Sequence, residues 1–244
     1  MTVSENRNIA IVGVGSSMSK SLAMWLATLG WNIALISRSE QSLSAITEEV
    51  KRAQKVRDTR VVYRTADAGD TTSLKTTLDW CVEQLGGKLD VLSYNAARVA
   101  GSDITTTTPD VFELDFRVSA IGTLVAGQWF MDGNARTDRV AEKGERPLFL
   151  VTGGVLDKEP DVSLASLSTA KAASQTVSRL FAQVLPEKNN ILVGMPLVTG
   201  RIVNPETGEY YEEFQPDKII QKLFKPFFED RENREVKWTV ERHL

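Results

Sequence analysis

The sequence predicts an α/β fold: a doubly wound parallel sheet of about seven strands flanked by helices, in one domain spanning 1–244. Three observations predict it. Short apolar runs alternate with longer amphipathic stretches along the chain. The apolar runs are near-continuous, as strands covered on both faces must be. The 244 residues, 42% hydrophobic and 25% charged, suffice for one large domain with a full core. Right-handed crossovers then wind the chain to both sides of its first strand, and ligands of such sheets lie at the strands' C-terminal ends.

IAIVGVG (9–15) reads as a buried strand ending in glycines. MSKSLAMWLATLG (18–30) has apolar residues at helical spacing and a closing glycine. NIALIS (32–37) is the second strand, and a helix follows from Gln41 to Lys55. VVYRTAD (61–67) is the third strand and LKTTLDWCVEQLG (74–86) the next helix. LDVLSYNAA (89–97) is the fourth strand running into a loop. Pro109 and Asp110 open a long helix to Met131. The charged stretch 132–146 lacks periodicity and reads as a solvated connection. LFLVTGG (148–154) is the fifth strand, a helix rich in small residues spans Leu164 to Leu185, and ILVGMPLV (191–198) is the sixth strand. The tail offers a helix over 217–229 and a last strand, EVKWTV (235–240).

Composition excludes several functions. The net charge is −3 and Lys/Arg runs are no longer than two, so no nucleic-acid partner is expected. Cys81 is the only cysteine, which leaves no internal disulfide and no Cys-based metal site. His243 is the only histidine, which argues against a Ser-His-Asp triad and a His-rich zinc site. No metal is expected. The opening MTVSENRN is too polar for a secretory signal, and no apolar run is long enough to span a bilayer. A cytoplasmic protein without a membrane partner is expected.

The first strand ends in GVGSSMS (13–19) and enters a helix, the position of a dinucleotide fingerprint. Gly13 and Gly15 allow a tight turn and close approach of a pyrophosphate. Ser16, Ser17 and Met18 begin the helix, whose free N–H groups favour an anion. Ser17 and Ser19 stand where further glycines are usual; serine adds a hydroxyl but resists left-handed backbone angles. The second strand ends in Ser37, Arg38 and Ser39 rather than in an acidic residue for the ribose hydroxyls of NAD. A guanidinium between two hydroxyls suits a 2′-phosphate, so NADP(H) is favoured.

These residues resemble the short-chain dehydrogenase/reductase family, a Rossmann-type fold, over nearly the whole chain. The resemblance implies an adenine contact for Asp67 in TADAGD. YNAA (94–97) is similar to the family's Asn-Asn-Ala-Gly stretch, which puts Asn95 and Ala96 beside the cofactor. Lys171 falls on the lysine of the Tyr-x-x-x-Lys pair, with a role in binding the nicotinamide ribose. VTGRI (198–202) falls on the loop that meets the carboxamide and phosphates, which implicates Val198, Gly200 and Arg201. The departures cluster on chemistry. The acid tyrosine is replaced by Leu167, the serine after the fifth strand by Gly153 or Gly154, and the helix asparagine by Ser119. The chain thus resembles an atypical subgroup that includes divergent enzymes of fungal specialised metabolism.

Leucine donates no proton, so another group must serve, or the reaction must need none. Asp157 is a candidate acid or a holder of a cationic substrate nitrogen, and equally a turn former; Asp161 is similar. Thr152, Ser119 and Ser166 are candidates to orient a carbonyl, or local caps. Tyr94, Arg98 and Arg117 are polar options near the site. Tyr210 or Tyr211, in the segment that the resemblance makes a lid, is a substitute acid or an aromatic wall. The expected function is NADP(H)-dependent hydride transfer to an iminium or other activated small-molecule acceptor. The alternatives are a non-redox isomerase or cyclase on the same fold and a non-catalytic NADP-binding protein. By the resemblance, the helices around 109–131 and 164–185 form a homodimer or homotetramer interface, with the small-residue run STAKAAS allowing close approach.

Overall fold

The computed structural model describes residues 7–204 and 206–244, without the side chains of 141–143. Most of the polar opening and Pro205 of the PETGEYYEEF segment lie outside the described residues. The chain runs β1 (Asn8–Val12), α1 (Met18–Thr28), β2 (Asn32–Ser37), α2 (Glu40–Ala53), β3 (Val61–Thr65), α3 (Thr71–Leu85) and β4 (Val91–Tyr94). It continues through α4 (Pro109–Phe116), α5 (Gly122–Trp129), α6 (Asp138–Lys143), β5 (Leu148–Val151), β6 (Gly153–Gly154) and α7 (Ala165–Asn189). The end holds β7 (Leu192–Val198), α8 (Pro216–Ile219), α9 (Lys225–Asp230) and β8 (Glu241–His243).

All these strands pair in parallel, in the order β3-β2-β1-β4-β5-β7, with β6 beside the end of β7 and β8 on β7. Thr152 interrupts the expected fifth strand, so β5 and β6 are two parts of it. The order reverses between β1 and β4, and their C-terminal ends diverge there. The sheet is wrapped by two apolar layers. Leu22, Leu26, Leu43 and Phe227 cover one face, and Leu78, Trp129, Phe149 and Leu185 the other.

Four expectations are corrected. The helix from Pro109 is not uniformly α: a π-helical turn over Arg117–Ile121 joins α4 to α5, and a second over Phe130–Asn134 ends it. The carbonyl loosened at the first turn, Val118 O, accepts the buried Tyr94 hydroxyl. The helix expected to stop at Leu185 runs on through Pro186 to Asn189, and Asn190 closes it at φ 53°. The segment 235–240 is not a strand, because Trp238 turns inward to give its indole N–H to Val193 O; pairing with β7 begins only at Glu241. The stretch 132–146 is not merely solvated. It carries α6, and its Arg139 is buried against Asp90, beside Arg136 and Arg231, at the base of the sheet. Among the described residues no helix is long and apolar enough to cross a membrane.

Candidate active site

A cleft opens at the β1/β4 reversal. Of the expected cofactor residues, Gly13, Gly15, Ser37, Arg38, Asp67, Asn95 and Ala96 line it, together with Ala68, Ala97 and Val118. Its floor depends on Gly13, whose φ is +85° and where a Cβ would stand 2.4 Å from the Ala96 backbone. Gly15 differs, because a Cβ there would meet no atom within 4 Å. The space that Gly15 leaves is therefore open to a ligand. The hydroxyl that Ser19 adds in place of a glycine joins the turn to β4: it donates to Gly13 O and accepts from Asn95 Nδ2. The Ser17 hydroxyl is buried at the start of α1 and has no hydrogen-bond partner among the described residues. Ser16 is exposed, and Met18 packs partly into the core.

The end of β2 presents cationic and hydroxyl groups to the cleft. Arg38 is exposed and its guanidinium has no partner among the described residues. Glu40, the acid closest in sequence, accepts instead from the Tyr63 hydroxyl at 2.9 Å. Ser39 caps α2, accepting from Ser42 N. Asp67 takes the Gly69 N–H at 2.9 Å and stays exposed at the rim.

The second half of the site is carried by α7. Lys171 Nζ donates to Thr152 O at 3.0 Å, and Gln175, one turn on, donates to Gly154 O at 3.0 Å. Burial lowers the Lys171 ammonium to about 8. Gln175 was not foreseen, although its spacing from Lys171 places both on one helical face. Leu167, one turn before, is buried. The hydroxyls of Thr152 and Ser119 are buried and make no hydrogen bond among the described residues. Gly153 has no room for a side chain: a Cβ would lie 2.5 Å from Leu197 and 3.1 Å from Gln175.

Several expected residues serve otherwise. Asp157 is ion-paired with Arg179 at 3.0 Å, and Arg179 also binds Glu241, so its carboxyl is engaged by a side chain of α7. Asp161 is a turn former: hydrogen bonds from Ser163 hold its carboxyl below the usual range. Arg201, 67% exposed, reaches Asp161 at 3.4 Å. Gly200 makes room for Phe214, whose ring would lie 2.6 Å from a Cβ, and Val198 is core. Ser166 donates to Val111 O and so ties α7 to α4, while Tyr94 donates to Val118 O and ties β4 to the first π turn. Arg117 turns to Glu113 on the surface. Tyr211 is exposed, and the backbone at Tyr210 bridges Val203. Within STAKAAS, Ser168, Ala170 and Ser174 are buried inside the chain, where Ser174 meets Thr123. The close approach they permit is thus intramolecular.

The family model described as short chain dehydrogenase matches residues 7–203. A very-long-chain 3-oxoacyl-CoA reductase of Schizosaccharomyces pombe is 26% identical over 165 residues, covering 66% of this chain and 47% of that protein. The versicolorin reductase stcU of Emericella nidulans is 26% identical over 113 residues, covering 46% and 41%. The matched segments span less than half of these relatives' lengths. Among solved structures, a short-chain dehydrogenase from Rhodopseudomonas palustris aligns with TM-score 0.75 at 19% identity, over 99% of both chains. An alcohol dehydrogenase from Thermococcus sibiricus, complexed with 5-hydroxy-NADP, aligns with TM-score 0.77 at 18% identity, over 98% of this chain and 96% of that one. At these identities the structures establish the shared fold.

Proposed function

The chain belongs to the short-chain dehydrogenase family, and on that premise we propose an NADP(H)-dependent reductase of non-standard chemistry. Its substrate is a small molecule with an iminium or comparably activated acceptor carbon. The observation that carries this reading is the buried Leu167 one turn before Lys171, where the family resemblance puts a phenol.

The cleft fits a dinucleotide. Gly15 opens space at the first turn, and the partnerless Ser17 hydroxyl and the start of α1 suit a pyrophosphate. The free guanidinium of Arg38, with Ser37, suits a 2′-phosphate and favours NADP over NAD. Asp67, Asn95 and Ala96 border the adenosine side, and Lys171 the nicotinamide side. When bound, NADPH supplies a hydride.

The remaining work falls to this chain's own groups. Lys171 holds the end of β5 through Thr152 O and offers its other N–H groups to a ribose. The unbonded hydroxyls of Ser119 and Thr152 are donors that orient a polar substrate atom. Leu167 adds an apolar wall without a proton. An iminium carbon is already electron-poor and needs no general acid, so rate comes from proximity and from exclusion of water.

A second reading rests on the same missing acid: an isomerase or cyclase that folds a reactive substrate and leaves the nucleotide unspent. Ile121 and Leu124 at and after the first π turn, with Leu180 and Val184 on α7, expose apolar surface that supports a homodimer or homotetramer. The test follows NADPH consumption with preformed cyclic iminium ions and with the matching ketones. A well-placed acid contributes about 10²–10⁴-fold, so iminium reduction is expected to exceed ketone reduction by at least about 100-fold. Equal rates would contradict the reading. Bound but unconsumed NADPH with product rearrangement would select the isomerase.

A further inference from the structure

We propose that Arg98 anchors a carboxylate group of the substrate, and that the buried Asp115 is the positioning residue that aims it. The inference deepens the reading above, on which it rests for the place of the substrate.

Arg98 follows Ala97, which lines the nucleotide cleft. From there the chain runs to Ser102, which is bound into the start of α7. Ser102 N donates to Ser163 O, Ala165 N to Ser102 O, and Ser166 N to Ser102 Oγ. The segment 98–102 therefore spans from the cleft to the helix that carries Leu167 and Lys171. A substrate that meets both halves of the site lies against this segment.

Asp115 lies on α4 one turn after Val111 and one turn before Ser119. Val111 O takes the Ser166 hydroxyl, so this face of the helix packs on α7. The Asp115 carboxylate is 0% exposed. A carboxylate sealed from water requires a counter-charge, and Arg98 is its one ion-pair partner among the described residues. The bond is made through Nε, at 2.7 Å to Oδ1, while Oδ2 has no hydrogen-bond partner among the described residues.

Asp115 engages the guanidinium at one nitrogen only, whereas Nε and Nη2 of Arg117 both reach one oxygen of Glu113. In Arg98 both Nη groups are left without a protein partner among the described residues, and the side chain is 22% exposed. The guanidinium is fixed at one edge, and its free end matches the two oxygens of a carboxylate. Together Arg98 and Asp115 are neutral, so a singly charged carboxylate adds one charge, whereas a phosphate dianion would leave two uncompensated in a half-buried site.

The test uses aryl and alkyl carboxylates, each paired with its methyl ester. Saturation-transfer NMR measures their binding to the protein with and without NADPH. At least one acid is expected to bind about tenfold tighter than its ester. Because Arg98→Ala alone would strand the buried carboxylate, the main variant is the double change Arg98→Gln with Asp115→Asn, which removes both charges. It is expected to abolish the acid preference and to leave NADPH binding unchanged. Arg98→Lys retains part of the preference, and Asp115→Asn weakens it severalfold with a higher KM and little change in kcat. No acid preferred over its ester, or a preference that survives the double change, would overturn the inference. Loss of NADPH binding in the unaltered protein, with an Arg98-dependent acid preference intact, would overturn the cofactor reading and leave this one standing.

Discussion

Lys171 shows how one side chain serves structure and site together. Its ammonium closes the end of β5 through Thr152 O, and burial lowers it to about 8. A free lysine titrates near about 10.4, so between these values the unfolded chain binds more protons than the folded one. Stability from this group therefore rises with pH across that window, and the penalty for the buried charge is fully present below about 8. Denaturant titration of the protein and of Lys171→Met at pH 7.5 and pH 10 checks this. The protein should gain roughly 1–3 kcal/mol more than the variant on the rise in pH. Equal gains would show that Lys171 titrates as if in water. The place of Arg38 just past the end of β2 was legible in the strand pattern, and that of Lys171 on α7 came through the family resemblance. The engagement of Asp157 could not be read, because its partner Arg179 lies on a later helix and is itself bound by Glu241 of β8. Asp115 was missed for the same reason: a carboxylate within an amphipathic helix gives no sign that it is buried.

At the scale of elements, the first π turn links sequence, packing and site. The fourth-strand residue Tyr94 sends its hydroxyl to Val118 O within that turn, and its phenol is pushed up by burial. Gly122 makes this possible, since a Cβ there would stand 1.8 Å from the Tyr94 hydroxyl. The same turn places Ser119 toward α7, as the buried contact of Thr123 with Ser174 shows one turn on. Tyr94→Phe leaves a buried carbonyl without its donor. Unfolding by urea should show a loss of about 1–3 kcal/mol, and no loss would mean that water or a 3.6-residue repeat replaces the bond. Helical spacing predicted a long helix here and was right about its extent within a few residues. It was blind to the π turn, because one added residue hardly disturbs apolar spacing. Strand composition likewise suggested pairing over 235–240, where the indole of Trp238 instead caps the sheet through Val193 O.

At the scale of the whole molecule, the winding of the chain decides where a ligand goes. Parallel strands, in an order that reverses between β1 and β4, open a cleft at their C-terminal ends. This much followed from alternating apolar runs, because few topologies bury both faces of such strands. The base of the sheet did not follow. Asp90, Arg231 and Arg139 are buried together there, and their meeting joins segments remote in sequence. If the cleft holds NADP(H) and Arg38 reads the 2′-phosphate, as proposed, the protein must distinguish NADPH from NADH. Titration of the purified protein with NADPH and with NADH, followed by nicotinamide fluorescence, tests it most directly. NADPH should bind at least about tenfold tighter than NADH, with the preference lost in Arg38→Ala. Binding of neither nucleotide, or a preference untouched by Arg38→Ala, would contradict it.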